Sequence, residues 1–544
     1  MAARLPALPA HRGDHYSPSV ALLTPVTVAV DAGTTGVRAL VVDEGARVVD
    51  VAYRELAQHF PRPGWVEHDA AEIWSAVRST LGEVGGRLGD AGRSARAVGI
   101  TNQRETVVAW DRSTGAPLHR AIVWQDRRTA ARCRELAGQG HLPLVRERTG
   151  LVLDPYFSAT KMEWLLGEGG VSPTADLALG TVDAWVLWNL TGGVGGGTFA
   201  TDTTNASRTM LYDIVARDWS EELCDLFGVP AVSLPTVQAS CGRFGRVADT
   251  SLGSDSPLSG TPISGIAGDQ HAALFGQACF DPGMTKITFG TGSFVLMNAG
   301  PVCPEPVDGL ITTVAWDLGG HGHDARAGGG ATDGGRSVAY ALEGSVFSSG
   351  AGIQWLRDGL GIIATASELE PLARSVETSE GVTLVPAFTG LGSPHWDPEA
   401  RGTILGLSRG VGRAHLARAM VEAMSFQARD VVDAMGSTAT APSTVRVDGG
   451  ASSMDLLLAL VADQTRLTVV RPRSVETTAI GAATLAGLAE GVWGSLDQLG
   501  GLWTEEASFS PAAGVDETEP AHEAWLRGVD RSRHWSDQDG LSEG

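Results

Sequence analysis

VTVAVDAGTTGVRALVVD, residues 26–43, reads as an apolar strand, a Gly/Thr turn and a second apolar strand beginning near Val37. Asp31 stands where the first strand runs out into Gly33, Thr34, Thr35 and Gly36. A turn of that composition points backbone N–H groups and hydroxyls at an anion. The same plan returns far downstream in MTKITFGTGSFVLMNA, residues 284–299, which shares little else with the first segment. Two similar half-molecules are expected, each opening on a hairpin able to cradle phosphate.

Strand-like AVGIT (97–101) and helix-like AEIWSAVRSTLGEVGGRL (71–88) alternate in the first half, as do helix-like HLARAMVEAMSFQARDVVDAM (415–435) and strand-like STVRVDGG (443–450) in the second. Such alternation predicts α/β layers. Two α/β domains, 26–278 and 279–508, are expected to meet at a cleft, since ligand sites favour domain interfaces. Residues 1–25, rich in proline and without a sustained apolar run, read as a flexible tail that is neither a leader peptide nor a membrane span. DLGGHGHDARAGGGATDGGR, residues 317–336, reads as a solvated loop insertion, and His321 and His323 as surface residues rather than a metal site. Residues 509–544 read as an acidic tail with at most one helix, near 521–529.

The chain has 544 residues, 43% hydrophobic and 19% charged, enough for several buried cores. Its net charge of −22 repels a nucleic-acid backbone, and no dense Lys/Arg run offsets it. A polyanionic nucleotide must therefore be met by backbone N–H groups, a few local cations and a divalent metal. The five cysteines are scattered, with neither zinc-site pairing nor the density of a disulfide scaffold, which fits a reduced cytoplasm.

Phosphoryl transfer needs donors on the phosphates, a metal and an oriented nucleophile. Asp31 can hold Mg²⁺, while Thr34, Thr35, Gly36 and Arg38 can meet phosphate oxygens. FGTGSF (289–294) offers Gly290 and Thr291 from the opposite side of the cleft. No P-loop sequence is present. TNQRET (101–106) sets Arg104 beside Glu105, a donor and an acceptor for neighbouring hydroxyls, or simply a loop ion pair. GIAGDQHAA (265–273) puts Asp269 and Gln270 at a strand-to-helix turn, where Asp269 serves equally as a helix cap or as a carboxylate base. Trp124 and Tyr156 can wall a pocket for a carbon skeleton or pack in the core.

With these residues assembled, the chain resembles the FGGY family of carbohydrate kinases from about Val26 to about Gly500, and most closely its glycerol-phosphorylating members. The resemblance rests on VDAGTTGVRA, PGWVEHD (63–69), GITNQRET, IVWQDRRTA, TGLVLDPYFSATK, TNASRTML, PISGIAGDQHAALFGQ, TFGTGSF, PAFTGLGSPHWDP and RVDGGAS. It implies two domains of ribonuclease-H-like, actin-like ATPase fold that close on substrate, with glycerol and ATP as substrates and a homodimer or homotetramer as the assembly. By motif, Arg104, Glu105, Tyr156, Asp269 and Gln270 look like ligands of glycerol hydroxyls, Trp124 and Phe294 like apolar walls, and Asp269 like the base. Thr34, Thr35, Gly36, Arg38, Gly290 and Thr291 look like phosphate contacts, Asp31 like the metal-associated acid, and Gly350, Gln354 and Gly450 like adenosine contacts.

The chain departs from the family pattern in places. Ala32 and Gly36 stand where relatives read Gln and Ser, removing a hydroxyl near the phosphates. Met454 stands where relatives offer an Asn to the adenine, leaving only apolar packing against the base. SLGSDSPLSGTP (251–262) lacks the arginine that resembles a fructose 1,6-bisphosphate contact in some bacterial members. The alternatives are a kinase of another polyol or sugar, such as xylulose, erythritol or dihydroxyacetone, and a non-catalytic nucleotide-binding protein of the actin-like fold.

Overall fold

The computed structural model describes residues 23–321 and 338–536. Its first large sheet has the strand order Cys241–Arg246, Pro262–Gly268, Arg93–Asn102, Thr24–Ala32, Gly36–Val42, Val48–Glu55. The second has the order Ile311–Asp317, Val338–Val346, Ser293–Gly300, Met284–Phe289, Thr444–Asp448, Thr468–Pro472, Glu505–Phe509. In both, an antiparallel hairpin is flanked by two parallel strands and then an antiparallel edge strand. The likeness of the two halves thus extends from their hairpins to their whole topology, with Ile311–Asp317 as an addition to the second.

The side-chain period of two explains why Thr24–Ala32 is apolar almost throughout: both its faces are covered. Val26, Val28 and Val30 join a core with Ile73, Val77 and Leu81 of helix Ala70–Asp90, whose N-terminus is capped by Asp69 accepting from Ala71 N at 2.8 Å. Ala29, Leu40 and Val42 instead meet Ala479, Ala482 and Ala483 of helix Thr477–Ala489. That helix comes from the second half of the chain yet packs on the first sheet and across helix Asp269–Gly276. The crossing is backbone to backbone. A Cβ on Gly481 would fall 1.8 Å from the Ala272 carbonyl oxygen, and one on Gly276 would fall 2.0 Å from that of Thr477. Any side chain at either position would pry the halves apart.

Two of the expected tails are ordered in part. Thr24 and Pro25 already pair with Arg93 and Ser94, so the first strand starts before Val26, and residues 1–22 lie outside the described residues. The region from 509 onward contains helix Val515–Ser532, packed rather than trailing. Trp525 is buried against Phe426 with ring centroids 5.7 Å apart, and Asp430 accepts from Trp525 Nε1 and pairs with His522 Nε2, each at 2.7 Å. The acidic face had masked an apolar stripe. Of the 317–336 stretch, Asp317 ends a strand and residues 318–321 follow it, while the remainder, including His323, lies outside the described residues, as do 537–544. Among the described residues no cluster of three or more His, Cys, Asp or Glu could hold a metal, and no helix is long and apolar enough to cross a membrane.

Candidate active site

Asp31, Arg104 and Asp269 come together because their strands are parallel neighbours. Ala32, Asn102 and Gly268 lie in register at the carboxyl ends of Thr24–Ala32, Arg93–Asn102 and Pro262–Gly268. The chain leaves the sheet there side by side, in a hairpin turn after Ala32, a tight turn after Asn102 and a helix that starts at Asp269, the usual place for ligands in open α/β sheets.

After Asn102 the backbone makes a tight turn, with Glu105 at φ +60° and Thr106 N donating to the Arg104 carbonyl at 2.7 Å. The positive φ is unusual for a glutamate and turns both charged side chains inward. Gly268 makes room for the Arg104 stem, since a Cβ there would lie 2.6 Å from Arg104 Cγ. Arg104 is held by Glu343 through Nη1 (2.6 Å) and Nη2 (2.9 Å), and its Nη2 also donates to the Tyr156 hydroxyl at 3.2 Å. Its Nε lies 3.3 Å from Asp269 Oδ1. Arg208 donates to Glu105 Oε1 at 2.6 Å and to Glu343 Oε1 at 3.1 Å.

Burial works against the Glu343 charge, but Arg104 and Arg208 overcome it and hold the carboxyl well below the usual range. For Glu105, burial prevails over the same two arginines and its pKa rises. Its Oε2 is buried without a hydrogen-bond partner among the described residues. Trp124 meets Tyr156 and Phe294 edge-on, at ring-centroid distances of 5.6 and 6.3 Å.

Asp269 is the first residue of its helix, its Oδ1 accepting from Gln270 N at 2.7 Å, and its side chain is 31% exposed. Burial raises its pKa, while Arg104 and Lys286 pull it back. Asp31 is likewise raised by burial and opposed by Arg38, which donates to its Oδ2 at 2.7 Å. Arg38 also reaches Glu476 at 2.7 Å, so two carboxylates engage the charge expected to face phosphate.

The first hairpin is braced by Trp124 and Gln103. Trp124 Nε1 donates to Thr34 Oγ1 at 3.0 Å, and Gln103 Nε2 donates to the Gly33 carbonyl at 3.1 Å. Tyr53 covers Gly36 so closely that a Cβ would lie 2.4 Å from its ring. Gly36 is therefore matched to its neighbour. In the second hairpin the carbonyls of Gly290 and Thr291 accept from Gly350 N and Ala351 N, each at 2.9 Å, joining Gly290, Thr291 and Gly350 in one loop pair. Gln354 and Gly450 are exposed. Met454, expected to lie against adenine, is 7% exposed and belongs to the second core with Ala451, Leu456 and Leu457.

Residues 26–276 match the N-terminal domain, and residues 285–490 the C-terminal domain, of the FGGY family of carbohydrate kinases. The chain belongs to this family. Among curated FGGY kinases it is 48% identical over 514 residues to a glycerol kinase of Bordetella parapertussis, covering 94% of this chain and 97% of that protein. It is also 48% identical over 509 residues to one of Shewanella frigidimarina, covering 92% and 97%. Among solved structures, Plasmodium falciparum glycerol kinase with ADP superposes with a TM-score of 0.84 at 32% identity, covering 94% of this chain and 98% of that one.

Glu343 and Arg208, which hold Arg104 and Glu105 in place in this FGGY kinase, are not among the site residues expected from sequence. Both were visible as anomalies: a glutamate inside the apolar strand YALEGSV and an arginine inside TNASRTML. Charges in such settings are almost never fully buried unless paired.

Proposed function

We propose that the chain transfers the terminal phosphate of ATP to a primary hydroxyl of glycerol, giving sn-glycerol 3-phosphate and ADP, with Asp269 as general base. The observation that carries this reading is the unpartnered buried oxygen of Glu105 beside Arg104 and Tyr156. A polyol hydroxyl donates to that oxygen and accepts from the arginine or from the Tyr156 O–H, while Trp124 and Phe294 cover the carbon chain. Gln270 adds an amide to the same set.

The hydroxyl oxygen forms its bond to the terminal phosphorus as the bond to the bridging oxygen breaks and ADP leaves, and the proton passes to Asp269 late in a loose transition state. A carboxyl raised by burial is a better proton acceptor than an ordinary one. Thr34, Thr35, Gly36 and Thr291 meet the phosphates chiefly through backbone N–H groups, while Gly290, whose own N–H donates to the Gly292 carbonyl at 2.9 Å, shapes the second turn. Gly350, Gln354 and Gly450 border the adenosine, and Arg38 reaches phosphate by leaving one of its carboxylates.

Asp31 fits a magnesium ion. Its Oδ1 makes no hydrogen bond among the described residues, and a nucleotide-bound Mg²⁺ needs only one or two protein carboxylates. When bound, that ion neutralises charge on the phosphates. A cytoplasmic setting suits the five unpaired cysteines.

A coupled ADP-release assay over glycerol, dihydroxyacetone, erythritol and xylulose, with ATP, GTP and CTP, tests the proposal. Glycerol with ATP gives the highest kcat/KM. Turnover of xylulose with glycerol untouched would overturn it.

A further inference from the structure

Lys286 lies on the strand that leads into the second hairpin, and its side chain is fully buried. Its ammonium donates to Gln270 Oε1 and, at 2.8 Å, to Thr288 Oγ1. Among the described residues no carboxylate is in ion-pair contact with it. Asp448, Asp269 and Glu343 favour its charge from a distance and Arg104 opposes it, and burial lowers its pKa to about 8. An ammonium so placed is costly to the fold, and a methionine would fill the same space without the charge.

The chemistry of this contact has one orientation. An ammonium has only donors, so the Gln270 amide can meet it only through oxygen. The amide nitrogen is thereby left facing away from Lys286, with no protein acceptor among the described residues. Without Lys286 the amide is free to rotate its oxygen and nitrogen through one another, and a hydroxyl of substrate would meet either.

We propose that Lys286 is a positioning residue of the acceptor site, fixing the Gln270 amide so that Nε2 donates to an acceptor hydroxyl oxygen. This rests on the reading of Gln270 as a ligand of the acceptor, and it makes the strand before the second phosphate hairpin a structural part of polyol recognition.

Steady-state kinetics and thermal unfolding of the full chain test it with Lys286→Met, Lys286→Gln, Gln270→Ala and the double variant Lys286→Met/Gln270→Ala. Lys286→Met keeps or raises the Tm, leaves the KM for ATP in place and raises the KM for glycerol about tenfold, the worth of one hydrogen bond to substrate. Gln270→Ala has a similar effect, and the double variant is no worse than Gln270→Ala alone, because Lys286 acts through that side chain. Lys286→Gln, which can still donate to the amide oxygen, recovers most of the affinity and serves as the test if the methionine variant fails to fold.

Additive effects in the double variant, or equal rises in both KM values, would overturn the positioning role. A wild-type chain that ignores glycerol but turns over another polyol would refute the glycerol assignment alone, and the same cycle run on that polyol would still decide the role of Lys286.

Discussion

In the proposed acceptor site Arg104, Glu105, Arg208 and Glu343 are each at most 2% exposed and hold one another by charge. In the segments proposed to meet nucleotide Thr35, Gly290, Thr291, Gln354 and Gly450 are exposed, and what fixes the second hairpin is backbone hydrogen bonding to the loop at Gly350. The contrast follows from what each substrate offers. A small neutral polyol has only hydroxyls, so recognition must be built in advance from desolvated charges. A polyanion is met wherever a turn presents N–H groups, so backbone shape matters more than side-chain identity.

The largest effect belongs to the carboxylate between the two sides. Asp269→Asn keeps the fold and glycerol affinity and lowers kcat by about 10²–10⁴, the usual worth of a positioned base. In the wild type, kcat/KM falls as pH drops through the pKa of Asp269, because protonation removes the base, and burial places that limb above the usual range of an aspartate. Near-normal turnover in Asp269→Asn would remove Asp269 from its role.

Next in size is Glu343→Gln, which removes one of the two carboxylates that buried Arg104 and Arg208 share. It should cost about 3–5 kcal/mol of stability, read by denaturant unfolding, and raise the KM for glycerol far more than that for ATP. Equal rises would mean that the two sides are not separately built.

Met454→Asn tests the nucleotide side. Placing an amide in the second core lowers stability by about 1–3 kcal/mol and leaves the KM for glycerol unchanged. A tighter KM for ATP would show instead that this position faces the base. The smallest effect is expected at the first hairpin, where Gly36→Ser displaces the half-exposed Tyr53 ring at about 0.5–1.5 kcal/mol, measured as a lower Tm. Adding Tyr53→Ala relieves the clash.

Much of this was legible in the sequence. Two hairpins of the same plan point to two halves, and the structure brings Arg104, Glu105, Tyr156, Asp269 and Gln270 together, with Trp124 and Phe294 beside them. What local pattern does not encode is long-range pairing. Glu343 is separated from Arg104 by 239 residues, and nothing near either names the other. Helix Thr477–Ala489 is apolar on all sides, so its sequence says that it is buried but not that it lies on the other half's sheet. Met454 was read by its place in a motif, whereas its side chain follows the apolar core beneath it.

The central claim is that the acceptor pocket is complete before nucleotide arrives. Calorimetric titration of glycerol into the nucleotide-free chain tests it most directly. One saturable site per chain, lost in Glu105→Ala and unfilled by xylulose, is the predicted result. Glycerol binding that appears only once a nucleotide is present would contradict it.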